Sequence, residues 1–110
     1  MARHNQRYGW LPDLPDQRDH LYAAPRQVLL KLPENIDLRP HCPPVFDQGQ
    51  LGSCTANAIG NAYRFDLLRQ LKAPAFVPSR LFLYYNERVI EGTVKTDSGA
   101  MLRDGIKTLA

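Results

Sequence analysis

Residues 47–54 read Asp47-Gln48-Gly49-Gln50-Leu51-Gly52-Ser53-Cys54, and the run that follows, from Cys54 to about Leu71, contains no proline. Gly49 and Gly52 permit a tight loop. Beyond it, Ala58, Ile59, Ala62, Tyr63, Phe65, Leu67, Leu68 and Leu71 recur at three- and four-residue spacing, which predicts a long amphipathic helix with much of its surface buried. The junction matters most, because it sets a cysteine on the first turn of that helix. Unpaired backbone N–H groups and the positive end of the macrodipole favour a thiolate there, while burial acts in the opposite direction. Cys54 is therefore a candidate nucleophile. A carbonyl attacked by such a sulfur gathers negative charge on its oxygen and needs donors already aimed at it. The Cys54 N–H is one such donor. The side-chain amide of Gln48, folded back by the glycine loop, is the other.

Downstream, Pro74 and Pro78 break the chain, and Pro78 or Ser79 opens a second helical pattern through Leu81, Phe82, Tyr85, Val89 and Ile90 that stops near Gly92. A third helix is expected with Asp97 or Ser98 as its cap and Met101, Leu102, Ile106 and Leu109 along one side, weakened slightly by Gly105. Phe76, Phe82, Tyr84 and Tyr85 read as core rather than as a base-stacking surface. Upstream, residues 1–33 are rich in proline, arginine and aspartate, so they read as an extended arm. Trp10, Leu11, Leu14, Leu21 and Tyr22 supply apolar area to dock it. Residues 27–32 read alternatively as a short strand. There is no internal repeat and no low-complexity segment.

The runs Pro33-Glu34-Asn35-Ile36-Asp37-Leu38-Arg39 and Pro44-Val45-Phe46-Asp47-Gln48-Gly49-Gln50-Leu51-Gly52-Ser53-Cys54 resemble the mature amino terminus of papain-family cysteine peptidases. The resemblance implies that Cys54 is the nucleophile and Gln48 the oxyanion-hole side chain. Asp97-Ser98-Gly99-Ala100 is similar to the family's glycine-containing segment that pairs with substrate backbone, which makes Ser98 and Gly99 candidates for peptide binding. The implied fold is mainly α: residues 34–110 as the cysteine-bearing helical half of an α+β papain-like domain, preceded by the arm of residues 1–33. Peptide-bond hydrolysis is the implied activity, with a peptide or protein substrate. Papain-like histidine and asparagine lie roughly 130–150 residues after the cysteine, past Ala110. The expectation is thus a truncated domain, inactive alone, whose partner is a complementary β-rich half carrying those two residues. The competing expectation is a non-catalytic binding or decoy module, because the apolar side of the last helix invites association. Two departures from the best-known members stand out: Leu51 replaces a disulfide-forming cysteine, and Thr55 replaces tryptophan.

Other chemistries find little support. The net charge is +3, but Lys and Arg are interspersed with Asp and Glu, which argues against nucleic acid. No apolar run approaches a membrane span or a secretory signal, so a soluble cytoplasmic protein is expected. The only cysteines, Cys42 and Cys54, fit neither a CxxC pair nor a disulfide-dense scaffold and suit a reducing compartment. Cys42 reads as an idle thiol. His4, His20 and His41 all precede the cysteine, opposite to the family's order, so none is expected to act as its base. No cofactor is implied. A metal site from His20, His41, Cys42 and Cys54 lacks the short paired spacings of structural zinc.

Overall fold

A computed structural model describes residues 8–70 and 76–110. The long helix, α2, spans Cys54–Arg69 and begins at the cysteine, as the loop-then-period pattern predicts. Helix α3 spans Arg80–Glu91. Ser79 caps it by accepting the Phe82 N–H at 3.2 Å. Gly92 ends it in the left-handed region at φ 73°, where the Thr93 N–H reaches back to the Arg88 carbonyl at 2.8 Å. Helix α4, Leu102–Leu109, follows directly on a two-residue strand, β2, Ala100–Met101. Its partner is β1, Trp10–Leu11, in the arm; the two run parallel, with Trp10 opposite Ala100 and Leu11 opposite Met101.

Helix α3 packs against both α2 and α4, which also touch each other. The core where they meet is small: Ala56 and Ile59 from α2, Leu83 and Tyr84 from α3, and Ala100. Its radius of gyration is 16.5 Å, against roughly 13 Å for a compact 110-residue domain. Much apolar surface consequently stays outside. Ile36, Leu38 and Val45 are exposed, as are Phe82 on α3 and Ile106 on α4. Between the segment around Leu38–Phe46 and α2 lies an apolar groove of about 390 Å³, lined by Val45, Phe46, Ala58 and Phe65 among others.

Several expectations need correction. Only the first half of α2 is buried, at Thr55, Ala56, Ile59 and Gly60, because α3 and α4 cover it from one side only; Leu71 lies outside the described residues. Of the four aromatics read as core, only Tyr84 is buried; Phe76, Phe82 and Tyr85 face outward. Residues 27–32 do not form a strand. Pro25 instead starts a short helix, α1, Arg26–Leu29, its carbonyl accepting the Val28 and Leu29 N–H groups at 2.9 and 3.3 Å, and a lone strand there would have no ladder partner.

Neither Asp97 nor Ser98 caps α4. The Arg103 N–H near its start is satisfied by Asp13 of the arm at 2.9 Å, a residue 90 positions away. Of the apolar side chains expected to dock the arm, Leu11 is half-buried while Trp10, Leu14, Leu21 and Tyr22 are exposed, and polar contacts add to its hold: the Arg103 guanidinium forks onto Asp19 at 2.6 and 2.7 Å. Gly105 is also no weakness. A Cβ there would strike Glu87 and Ile59, so glycine is what lets α4 approach the core.

Candidate active site

Asp47 shapes the loop before α2 by accepting the Gly49 N–H at 2.8 Å, with Gly49 at φ 64°. Cys54 is the first residue of α2 and half-buried. Its N–H donates to the Tyr8 carbonyl at 3.2 Å. The Gln48 amide nitrogen donates to that same oxygen at 3.2 Å, and to the Leu51 carbonyl at 2.8 Å. The two donors read from the sequence therefore converge on one carbonyl oxygen, and that oxygen belongs to the arm.

The thiol departs from the sequence-based expectation. Burial pushes its pKa above the ordinary value; the Thr55 and Cys54 N–H groups pull it down without offsetting the desolvation, and the negative charge of Glu87 adds a smaller upward push. The helix terminus alone does not make this sulfur a thiolate. No hydrogen bond joins His20 or His41 to Cys54 among the described residues, and His4 lies outside them. Asn57 is occupied elsewhere, donating to the Ser53 carbonyl at 2.8 Å and accepting from Arg80 at 2.8 Å. Cys42 is exposed, with its thiol 3.4 Å from the Leu38 carbonyl.

Gly99 lies buried at φ 80°, a conformation that suits glycine, and its N–H donates to the Tyr84 hydroxyl at 3.1 Å. The next N–H, of Ala100, donates to the Gly9 carbonyl at 2.8 Å, so this segment already grips the arm's backbone. Gly9 sits at φ 89° between Gly52 and Gly99; a Cβ on Gly9 would run into the Gly52 carbonyl, and one on Gly99 into Gly9. The Ser98 hydroxyl bonds only locally, to the Gly99 carbonyl at 3.3 Å. Thus Cys54, Gln48 and Gly99 gather around Tyr8–Gly9, with Ser98 beside them.

Residues that sequence reading missed complete the surroundings. Asp97 accepts the Gly52 N–H at 3.0 Å and the Tyr84 hydroxyl. Glu87 is fully buried, takes the Thr55 hydroxyl at 2.9 Å on one carboxyl oxygen, and has no partner for the other. The Thr55 side chain is thus a hydrogen-bond donor to a buried carboxyl. Among the described residues no group of three or more His, Cys, Asp or Glu side chains is placed to hold a metal ion, and no helix is long and apolar enough to cross a membrane.

No family model matches the chain. An uncharacterised peptidase C1-like protein of Acanthamoeba polyphaga mimivirus is 42% identical over 121 aligned residues, which cover 96% of this chain and 39% of that protein. The crystal structure of xylellain, a cysteine protease from Xylella fastidiosa, superposes with a TM-score of 0.84 at 50% identity, over 99% of this chain and 41% of that one. The chain therefore spans about two fifths of the length of each of these relatives.

Proposed function

We propose that this chain, a homologue of papain-like C1 cysteine peptidases over about two fifths of their length and mainly helical like the matching part of that fold, contributes the nucleophile and oxyanion donors of a peptide-bond hydrolase. One observation carries the reading: the Cys54 N–H and the Gln48 amide both donate to a single peptide carbonyl oxygen, that of Tyr8, at 3.2 Å each. A pair of donors converging on a peptide oxygen beside a thiol is the arrangement that acyl transfer needs.

In the reaction, the Cys54 sulfur adds to the scissile carbonyl carbon, its proton passing to a general base, while the oxygen takes up negative charge between the two donors. Collapse of the adduct breaks the C–N bond, the base returns the proton to the departing amine, and water then releases the acyl group and restores the thiol. Ser98 and Gly99 flank the substrate backbone, with the neighbouring Ala100 N–H as a donor to it. The base is a histidine, oriented by an asparagine, on a complementary β-rich half. The exposed apolar residues of the 34–46 segment and the groove they border support such a partner. The division into an arm of residues 1–33 and a peptidase portion of 34–110 belongs to the same proposal. The raised thiol pKa fits a chain that does not turn over peptide alone, because an imidazolium neighbour is what would lower it.

The second reading, a non-catalytic binding module, draws on the exposure of Leu102, Ile106 and Leu109 on α4. One experiment separates the two: treat the purified chain with an irreversible peptidyl electrophile and with iodoacetamide, map the adducts by mass, and use Cys54→Ala as control. The peptidase reading expects the peptidyl reagent to favour Cys54 over the exposed Cys42, with no turnover of a fluorogenic peptide. Equal or preferential labelling of Cys42 would leave the binding module as the better account.

A further inference from the structure

The loop that delivers Cys54 has no covalent tether at Leu51, where the best-known papain-family members have a disulfide-forming cysteine. One residue further on, the Gly52 N–H is held by both carboxyl oxygens of Asp97, at 3.0 and 3.1 Å. The same carboxylate accepts the hydroxyl of Tyr84, and that hydroxyl accepts the Gly99 N–H at 3.1 Å. A chain of hydrogen bonds thus runs from the nucleophile loop through Asp97 and Tyr84 to the glycine segment across the site. Its middle member is anchored: Tyr84 is fully buried in the core, and its ring lies 4.0 Å from the Arg88 guanidinium. Arg88 in turn donates to the Val94 and Thr96 carbonyls at 3.2 and 3.1 Å, tying the segment before Asp97 to α3.

The two loops that this chain joins are the walls of a slot. Gly9 of the arm lies in it, in close contact with Gly52 on one side and Gly99 on the other. The donors that grip the arm, the Cys54 N–H and the Ala100 N–H, stand two residues past Gly52 and one past Gly99. We propose that Asp97, acting with Tyr84, is a positioning residue: it fixes the spacing between the Cys54 loop and Gly99, and so determines whether an extended peptide backbone is held against the nucleophile. In this structure that backbone is the arm. Under the hydrolase reading, on which the inference rests for its catalytic meaning, it is the substrate once the arm is out. Neither side chain touches the reacting atoms; they act through the backbone of Gly52 and Gly99.

The test is amide hydrogen exchange, read residue by residue on the 110-residue chain as wild type, Asp97→Ala, Asp97→Asn and Tyr84→Phe. Loss of a charge-assisted hydrogen bond opens a local amide by roughly tenfold or more. Asp97→Ala should speed exchange about that much at Gly52, and also at Cys54 and Ala100, which Asp97 does not touch, while Leu83 in the core stays within about twofold. Asp97→Asn keeps an oxygen for Gly52 and Tyr84 and should restore most of the protection. Tyr84→Phe keeps the ring under Arg88, removes only the hydroxyl, and should open Gly99 and Ala100; it also decides the matter should Asp97→Ala fail to fold. The inference is overturned if Cys54 and Ala100 keep wild-type protection while Gly52 opens, if Leu83 rises in parallel with them, or if Asn rescues nothing. None of these readouts depends on peptide cleavage. Failure of the hydrolase reading would appear in the electrophile experiment and would leave the exchange result intact.

Discussion

Replacing Glu87 with glutamine tests how far the buried carboxyl governs stability. The Glu87 side chain is fully buried, with α2 contributing Thr55 and Ile59, α4 contributing Gly105 and Asp104, and Arg88 and Glu91 nearby on its own helix. Burial, outweighing the Thr55 hydrogen bond and reinforced by the negative charges of Glu91 and Asp104, pushes its pKa from 4.5 to about 7. The native state therefore binds more protons than the unfolded chain between those values. The stabilisation tied to this proton is fully present below pH 4.5 and is lost as pH rises through about 7. At roughly 1.4 kcal/mol per pH unit the interval corresponds to about 2–3 kcal/mol. In Glu87→Gln the amide oxygen still accepts from Thr55, while the NH₂ group brings one more unpartnered donor than the protonated carboxyl, a penalty of about 1 kcal/mol at every pH. Urea denaturation from pH 5 to pH 8 should give crossing curves: wild type more stable at pH 5, the variant equal or better at pH 8. Glu91 is raised in the same direction, but it is common to both proteins and cancels in the difference. Parallel curves would refute the reasoning and mean that Glu87 titrates as an ordinary carboxyl.

Two further substitutions follow from glycine contacts. Gly9→Ala drives a Cβ into the Gly52 carbonyl at a position with φ 89°, so the arm should leave the slot and free the Cys54 N–H and Gln48 amide. Cys54 labelling by a peptidyl electrophile should then rise by about tenfold over wild type, and an unchanged rate would show that the arm does not obstruct the sulfur. Gly105→Ala would add roughly 1 kcal/mol of helix propensity to α4, yet its Cβ strikes Glu87 and Ile59; a net loss of about 2 kcal/mol in urea denaturation is expected, and a gain would show that the packing yields.

The sequence was most readable where local physics decides. The start of α2 at Cys54, the Ser79 cap and the Gly92 stop of α3 each depend on residues within a few positions of one another. The proximity of Gln48 to the Cys54 N–H has the same local origin, a glycine-containing loop of six residues. What stayed hidden depends on long-range contacts. Asp13 capping α4 spans 90 positions and Asp97 holding Gly52 spans 45, and nothing in the composition of either neighbourhood announces the partner. Glu87 was missed because its position on α3 faces α2 and α4, which the helical period alone does not orient. The expected thiolate illustrates the same divide: the helix terminus was visible in the sequence, whereas the burial that outweighs it was not.

Under the proposed function the arm and a substrate backbone compete for one slot. The arm's backbone accepts from the Cys54 N–H, the Gln48 amide and the Ala100 N–H and pairs through β1 with β2, each such bond worth about 0.5–1.5 kcal/mol net. A peptide entering under the proposed function would accept from the same donors, but only without a side chain where Gly9 sits, since a Cβ there meets the Gly52 carbonyl. What the arm alone supplies is at the far end: the Asp13 acceptor at the start of α4 and the Arg103–Asp19 pair. A helix-end acceptor is worth about 1 kcal/mol, and the solvent-exposed ion pair adds little, less still at high salt. The arm's extra anchoring over a bound peptide thus includes the Asp13 contact at the start of α4, remote from the sulfur, while the slot that both must occupy is set by Asp97 and Tyr84.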